Sequence, residues 1–567
     1  MNGNYVKCII EAVVQLQLIR GLLVWLGRLS IIRNLVKRNF HRDSVQLLHL
    51  SEEAKKIGGV KDAAVVMGTT TNKEILARLG LLTKEGEAAS DSDMILAVVA
   101  DSQPRIDEGL HQIEEMLLRP PAAKGRSFYS VEAALQAMPG ANLAIVSIPG
   151  EFARDVVLKL LDKGINVHLF SDHVPPQHEL ELKQYAKSKG LLVMGPGAGT
   201  SIIGGKAVAF ANVVKKGKIG IVAAAGTGLQ EVSVLLSEAG LGVSVGLGTG
   251  GGDVKTKIRG LMMLQCIDAL ERDIGTSTIV VVSKPPDSDV KKSILGHIAN
   301  DTKKKYVTCF LGPENYEIPA TARERVKGTK TLHAAFVEAT RTSTTDSQQG
   351  TAKQYTFSRN ELAALTDKAV KGLSDRQKYI RGLYTGGTLA YETLIILGRL
   401  LGPVYSNAPL DPKLKLADSY RSTRDAIIDL GEEEFTAGRA HPMIDPTIRN
   451  IRLMEEAKDP EVAVILMDVM LGFGSHPDPA GAMLGAIEES EKIAQADGRT
   501  MPILAHVCGT EQDPQPLSDQ EAKLNKAGVH LFPTNAMMAI ASAMISRRGT
   551  LDERAMEDIY SHFLVSF

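Results

Sequence analysis

The sequence predicts an α/β protein assembled from several parallel-sheet domains. Three observations point that way. From about residue 40 onward, short β-branched runs alternate with longer amphipathic segments, the pattern of strands joined by crossover helices. Several of the apolar runs pass directly into a glycine turn that opens a helix. Glycine is abundant, at 52 residues, while aromatics make up only 5%, which suits tight strand-to-helix turns. At about 150 residues per domain, a chain of 567 residues is expected to form three to five domains.

Taken in order, AAVVM (63–67) reads as a strand, 72–82 as a helix, MILAVVA (94–100) as a strand and the segment through Leu118 as a helix. Pro120, Pro121 and Gly125 then mark a boundary. NLAIVSIP (142–149), INVHLF (165–170) and LLVMGP (191–196) alternate with helices over 151–163 and 179–189. Such a βαβαβ unit requires a parallel sheet with right-handed crossovers. A third unit opens with KIGIVAAAGTGLQEVSVLLSEAG, in which a strand over 218–223 meets the turn Gly226-Thr227-Gly228 and then a helix. VSVGLG (243–248), TIVVVS (278–283) and YVTCFLG (306–312) continue it. Residues 341–377, rich in Ser, Thr, Gln, Asp and Lys, read as a solvated linker.

A fourth unit repeats the plan of the third from Tyr379. IRGLYTGGTLAYETLIIL supplies the glycine turn and helix, and VAVILMDVMLGFG (462–474) and MPILAHVCG (501–509) supply buried strands. In both units a glutamate follows the turn threonine by four residues (Thr227 and Glu231, Thr388 and Glu392), consistent with a duplication. The expected organisation is an N-terminal extension (1–30), a small α/β domain (31–120), a Rossmann-like domain (121–212), the third unit (213–340), a linker (341–377) and the fourth unit (378–567).

Composition excludes several function classes. With 65 basic and 66 acidic residues the formal charge is −1, leaving no basic excess to track a nucleic acid. The four cysteines are far apart and form no CxxC or Cys/His cluster, which argues against a disulfide scaffold and a zinc finger and suits a reducing, cytoplasmic setting. No HExxH or carboxylate cage occurs, so no tightly bound structural metal is expected. Residues 9–32 are apolar but interrupted by Glu11, Arg20 and Arg28, too broken for a spanning helix or a secretion signal. They read as an amphipathic surface helix or an over-extended start.

The candidate chemistry lies at the strand ends. Open parallel sheets bind ligands beyond the carboxyl ends of their strands. There a Gly-Thr turn presents unpaired backbone N–H groups and a helix dipole to an anion. Gly226, Thr227 and Gly228 form one such turn, and Gly386, Gly387 and Thr388 the other. Either could equally be only a tight turn and a helix cap; neither is the GxxxxGK[ST] phosphate loop. GLGTGGGDV (246–254) is a third glycine cluster, a phosphate wrap or a flexible turn. In GRAHPMIDPTIR, Arg439, His441, Asp445 and Arg449 can converge on one anion, with arginine gripping it by two hydrogen bonds and histidine carrying a proton. The alternative is a surface loop in which Asp445 caps a helix. His476 and Asp478 follow the 462–470 strand and can orient substrate, or Asp478 can cap the next helix. Lys284 ends a strand, where its cation would face the ligand crevice.

GPGAGTSIIGG (195–205), GKIGIVAAAGTGLQE (217–231) and GVSVGLGTGGGD (242–253) resemble the α-subunit of succinyl-CoA synthetase. Residues 147–190 are similar to the latter half of its CoA-binding domain, with Asp172 and His173 in the segment that lines the CoA pocket. IDLGEEEFTAGRAHPMIDPTIRN (428–450), VILMDVMLGFG (464–474) and ILAHVCGTEQDP (503–514) resemble the ligase domain of the β-subunit. The fused arrangement, with LYTGGTLAYE, GRAHPMIDPT and GTEQDPQ, resembles the FdrA family of acyl-CoA-synthetase-like proteins over roughly residues 31 to 550. This resemblance implies a Rossmann-like CoA-binding-type region followed by two flavodoxin-like ligase domains.

Two departures bear on function. The synthetases carry a catalytic histidine in a Gly-His-Ala-Gly loop soon after the strand that ends here in FLG, but this chain continues PENYEIPATARERVKG. His297 and His333 fall on predicted helices and read as structural. The early glycine-rich CoA loop also has no counterpart, since MGTTTNKE (67–74) is not a GxxGxxG, and no nucleotide-grasp domain is visible. The expectation is therefore phosphate-dependent transfer without a phosphohistidine. The family resemblance implies a subunit of oxamate carbamoyltransferase, converting oxalurate and phosphate to oxamate and carbamoyl phosphate in allantoin degradation. It also implies two further enzyme subunits as partners, with phosphate or carbamoyl phosphate as ligand and CoA or nucleotide as the alternative. The rival readings are an NDP-forming acyl-CoA synthetase and a non-catalytic scaffold subunit.

Overall fold

The computed structural model describes residues 30–118, 128–312, 316–343 and 359–564. The N-terminal apolar segment before residue 30, the Pro120–Gly125 boundary and much of the expected linker lie outside these described residues. The chain divides into two compact units, Met1–Ser127 with Glu433–His441, and Phe128–Glu432 with Pro442–Phe567.

In the first unit a three-stranded antiparallel sheet has the order β1 (Ile31–Lys37), β3 (Met94–Ala100), β2 (Val60–Met67). β3 is the central strand and is buried along its whole length, as its unbroken apolar run MILAVVA requires. The helices Ser44–Lys55 and Gln103–Leu118 cover one face, packing Leu47, Ile106, Leu110 and Ile113 against Val65, Leu96 and Val98. The edge strand β1 escapes the sequence reading because Arg33 and Asn34 interrupt it. Asn34 is nonetheless buried, donating to Leu81 O and accepting from Thr83 N. The excursion Glu433–His441 belongs to this unit, where the Asn72 amide donates to Gly438 O at 3.1 Å.

The second unit contains three sheets. The Rossmann-like part is a parallel sheet in the order β4 (Leu143–Val146), β5 (Asn166–Leu169), β6 (Val193–Met194). The helices Gly150–Asp162 and Pro176–Ser188 provide its crossovers. The next sheet runs β13 (Val326–Thr329), β12 (Lys305–Phe310), β11 (Thr278–Ser283), β9 (Lys216–Ala224), β10 (Val243–Gly248) and is parallel throughout. The antiparallel hairpin β7 (Thr200–Ile203) and β8 (Lys206–Ala209) extends its β10 edge. The last sheet is parallel in the order β15 (Tyr405–Ser406), β16 (Ala426–Asp429), β14 (Tyr379–Tyr384), β17 (Val462–Met470), β18 (Ile503–Cys508), β19 (His530–Leu531).

Counting from each glycine-turn strand, the parallel part of the first sheet follows the doubly wound 2-1-3-4-5 order of flavodoxin-like domains, and the second follows it once its two-residue edge strand β15 is set aside. The predicted fold class is thus observed, and the two sheets share one plan. They also share one core. Leu229, Leu236 and Phe336 from the first pack in one cluster with Leu389, Ile396 and Met537 from the second. The helix Asn535–Ser546, buried at every residue, belongs to that cluster.

One expectation needs correcting. Within the stretch read as a solvated linker, Arg359–Lys371 forms a helix whose Leu362, Thr366 and Ala369 are buried. Their four-and-three spacing makes one helix face, which the polar average of the stretch conceals. His297 and His333 are helical as expected. The first is held between Asp268 and Asp301, and the second is buried beside Phe336.

Candidate functional site

Each larger sheet has one topological switch point, where the chain departs from the first strand toward opposite sides. In the first it lies beyond β9, between β10 and β11; in the second it lies beyond β14, between β16 and β17. These are the positions of the two glycine turns, which open the helices Gly226–Glu238 and Gly387–Leu401. Neither helix has a side-chain N-cap bond of its own. The first-turn amides of such helices have no intrahelical acceptor and must find one elsewhere.

The structure brings the two turns into contact. The Thr388 amide donates to the Thr227 hydroxyl at 3.1 Å, so the first turn supplies an acceptor to the second helix start. A methyl added at Gly228 would stand 3.0 Å from the Thr388 side chain, and one at Gly386 would stand 3.1 Å from that of Thr227. Glycine is required here because two helix ends approach each other. Gly226, Thr227 and Gly387 remain partly exposed, whereas Gly228, Gly386 and Thr388 are buried. A ligand would therefore meet the first three.

Strand-end side chains charge the junction. A methyl at Gly387 would stand 2.5 Å from Asp429 Oδ2 and 3.3 Å from the Lys284 ammonium, placing both groups at the second turn. Lys284 follows β11 and is partly exposed, and its ammonium lies 5.6 Å from the centre of the Tyr391 ring. Asp429 ends β16. Burial raises its carboxyl to about 6, while the Lys284 charge opposes the rise.

Asp468, inside β17, accepts the Thr385 amide at 2.7 Å and the Gly386 amide at 2.5 Å. The Gly386 amide, expected to bind phosphate, is thus already committed to a carboxylate. Arg449, expected to reach substrate, is instead buried against Asp468, donating to its carbonyl at 2.5 Å and lying 3.4 Å from its Oδ1. It neutralises the carboxylate that shapes the turn.

Three of the remaining predicted residues hold turns of the second unit. Asp445 accepts the Thr447 amide at 3.0 Å and caps the helix Thr447–Ala457, the structural alternative noted above. Arg439 and His441 belong to the first unit, while Asp445 and Arg449 belong to the second. Burial lowers the His441 pKa to about 4, so it is neutral near pH 7. Asp478 accepts the Gly481 amide at 3.1 Å and pairs with Lys523 at 2.7 Å, and His476 Nδ1 accepts the Asp478 amide. Both serve the turn into the next helix. In the third glycine cluster, fully buried Lys183 binds Glu179, Asp253 and Thr249 O. A methyl on Gly250 would fall 2.2 Å from Pro196 O, so this cluster is a close-packed node.

The glutamates four residues beyond the two threonines are also buried together. Glu231 meets His506 at 2.7 Å, and Glu392 accepts the Leu332 amide at 2.6 Å and the Asn535 amide at 2.8 Å. Burial pushes Glu392 up to about 7. Burial works to lower the His506 pKa, but Glu231 more than offsets it and the net shift is upward. Both groups bind protons more tightly in the folded protein. Their stabilising contribution is complete below their unfolded values, about 4.3 for Glu and 6.5 for His, and is lost as pH rises through the folded ones. The urea midpoint is expected to fall between about pH 4 and pH 7 as the Glu392 contribution is lost, with a shallower fall in Glu392→Gln. Equal slopes in the two proteins would refute the assignment.

Sequence reasoning missed Asp429 and Asp468. A lone carboxylate inside the apolar strand VAVILMDVM and another ending IID were the available signals.

Residues 383–545 match a family model described as CoA-ligase, and residues 30–134 match one described as AllF, heavy metal-associated domain. The latter stretch contains no cysteine, and no group of three His, Cys, Asp or Glu side chains able to hold a metal ion occurs among the described residues. The donors present do not fit a soft metal ion. The uncharacterized protein YahF of Escherichia coli K12 is 42% identical over 505 residues, 88% of this chain and 96% of that protein. The succinate–CoA ligase [ADP-forming] α-subunit of Methanothermobacter thermautotrophicus is 30% identical over 160 residues, 28% of this chain and 53% of the subunit. Among solved structures, an apo dinucleotide-forming acetyl-coenzyme A synthetase from Ca. Korarchaeum cryptofilum aligns over 74% of this chain and 85% of its own, at 14% identity and TM-score 0.28. No helix among the described residues is long and apolar enough to cross a membrane.

Proposed function

Because the chain belongs to the family of Escherichia coli YahF and carries acyl-CoA-synthetase-like domains, we propose that it handles phosphate and an acyl or carbamoyl phosphate where its two glycine turns meet. The observation that carries this reading is the Thr388 amide on the Thr227 hydroxyl, which joins two switch points beside the Lys284 cation and the Asp429 carboxyl. An oxyanion there is met by first-turn amides of two helices, both dipoles and one ammonium.

The finer reading is phosphate-dependent carbamoyl transfer, as one subunit of an oxamate carbamoyltransferase. A phosphate oxygen attacks the carbamoyl carbon of oxalurate. The carbon–nitrogen bond to oxamate breaks, and the departing nitrogen takes up a proton. Lys284 stabilises the developing charge. Asp429, with a carboxyl near pH 6, is placed to hold or release the proton. What favours this over ligation is the sequence after β12, which continues without a histidine to relay a phosphoryl group.

The second reading, an NDP-forming acyl-CoA ligase, is favoured by the CoA-ligase match over residues 383–545 and by the similarity to a succinate–CoA ligase α-subunit. An assay separates the two. Carbamoyl phosphate formation from oxalurate and phosphate, with any co-purified subunits present, is expected without ATP or CoA. Phosphate release that instead requires ATP, CoA and a short carboxylic acid would replace transfer by ligation.

A further inference from the structure

The helix Gly387–Leu401 carries Tyr391 four residues after Gly387, so the two positions share one face. Helical side chains lean toward the helix N-terminus, which brings the Tyr391 ring back over the turn that Gly387 opens. Gly387 has no side chain to fill that space, and a methyl there would stand 3.3 Å from the Lys284 ammonium. Lys284 reaches the same place from the end of β11. The Pro285 that follows keeps the Lys284 backbone out of the helical region, and the lysine leaves the strand end partly exposed.

The two side chains meet there. The ammonium lies over the Tyr391 ring, 5.6 Å from its centre, within the reach of a cation–π contact. Burial raises the Tyr391 phenol above its usual pKa, so the ring is un-ionised at neutral pH and offers the cation its electron-rich face. Asp429 attracts the same ammonium through charge, and no hydrogen bond joins them. A lysine gives up much rotamer freedom when its ammonium is fixed in one place. The Tyr391 ring, itself packed against the shared core, supplies a rigid surface that holds it.

We infer that Tyr391 is a positioning residue, whose ring holds the Lys284 ammonium over the Gly387 turn so that the ammonium meets the anion there. The inference rests on the phosphate reading above for the anion, but not for the contact between ring and ammonium. Tyr391 acts through Lys284 and by its ring, not its hydroxyl, so phenylalanine can replace it and leucine cannot. Leucine keeps hydrocarbon against the core and removes only the π face.

Two measurements on the full chain test it. In the first, surface amines are acetylated with N-hydroxysuccinimidyl acetate and Lys284 is followed by mass spectrometry of its peptide. Lys284 is expected to react at least about threefold faster in Tyr391→Leu than in the unaltered protein, and at the unaltered rate in Tyr391→Phe. The second is calorimetric titration with inorganic phosphate. Binding is expected to weaken about fivefold in Tyr391→Leu, to hold in Tyr391→Phe, and to weaken no further when Tyr391→Leu is added to Lys284→Met. A Lys284 rate unchanged in Tyr391→Leu would overturn the assignment, as would equal effects of phenylalanine and leucine. The same loss of phosphate affinity with and without Lys284 would also overturn it, because that is the behaviour of a residue that only packs. An unaltered protein that binds no phosphate would refute the anion site alone, and the acetylation rates would still decide the role of Tyr391.

Discussion

An Asp468→Ala protein is expected to lose about 3–5 kcal/mol of stability in its larger unit. The carboxylate is fully buried and accepts the Thr385 and Gly386 amides and the Thr385 hydroxyl, with the Arg449 guanidinium beside it. Truncation leaves a buried guanidinium without its counter-charge and two turn amides without acceptors, each costly in the interior. Urea unfolding followed by tryptophan-independent far-UV dichroism would register the loss as a lower midpoint. Asp468→Asn, which keeps an acceptor oxygen, is expected to lose less. A midpoint unchanged in Asp468→Ala would mean that the turn before the Gly387 helix is held by something else.

A Lys284→Met protein is expected to keep its stability and lose turnover by about 10²–10³-fold, the usual cost of removing one stabiliser of developing negative charge. Lys284 is partly exposed, and the nearby buried acid, Asp429, is already raised toward neutrality by burial. Without the Lys284 charge the Asp429 carboxyl rises further above 6 and takes up a proton, which limits the cost to the fold. Thr227→Val should act on the same step while removing the only hydroxyl that accepts from the Thr388 amide. Initial rates of carbamoyl phosphate formation, normalised to folded protein, check both variants. Full activity in both would place the chemistry outside the junction.

Fold class was legible from the chain because the central parallel strands are short, largely apolar runs, as in TIVVVS and VAVILMDVM, and several are followed by glycine turns. The common plan of the two glycine turns was legible too, since Thr227 and Thr388 are each followed four residues later by a glutamate. Less visible was which turn amides are already occupied. Gly386 and Gly387 look alike in sequence, yet Asp468 arrives from a strand more than eighty residues away and takes one of them. Arg449 misleads for the same reason, because its counter-charge is a buried carboxylate within a strand. Asp445 and Asp478 keep the local capping roles that their own neighbourhoods already allowed. The helix Arg359–Lys371 was hidden by composition, which averages away a narrow buried face.

The most direct test of a shared oxyanion site is a calorimetric titration of the whole protein with inorganic phosphate, repeated on Thr227→Val and Lys284→Met. Saturable binding at one site is expected in the unaltered protein, weakened at least about tenfold, or 1.4 kcal/mol, by either substitution. Phosphate that binds equally well to all three proteins, or to none of them, would contradict the proposal that two helix ends and one ammonium hold a single anion.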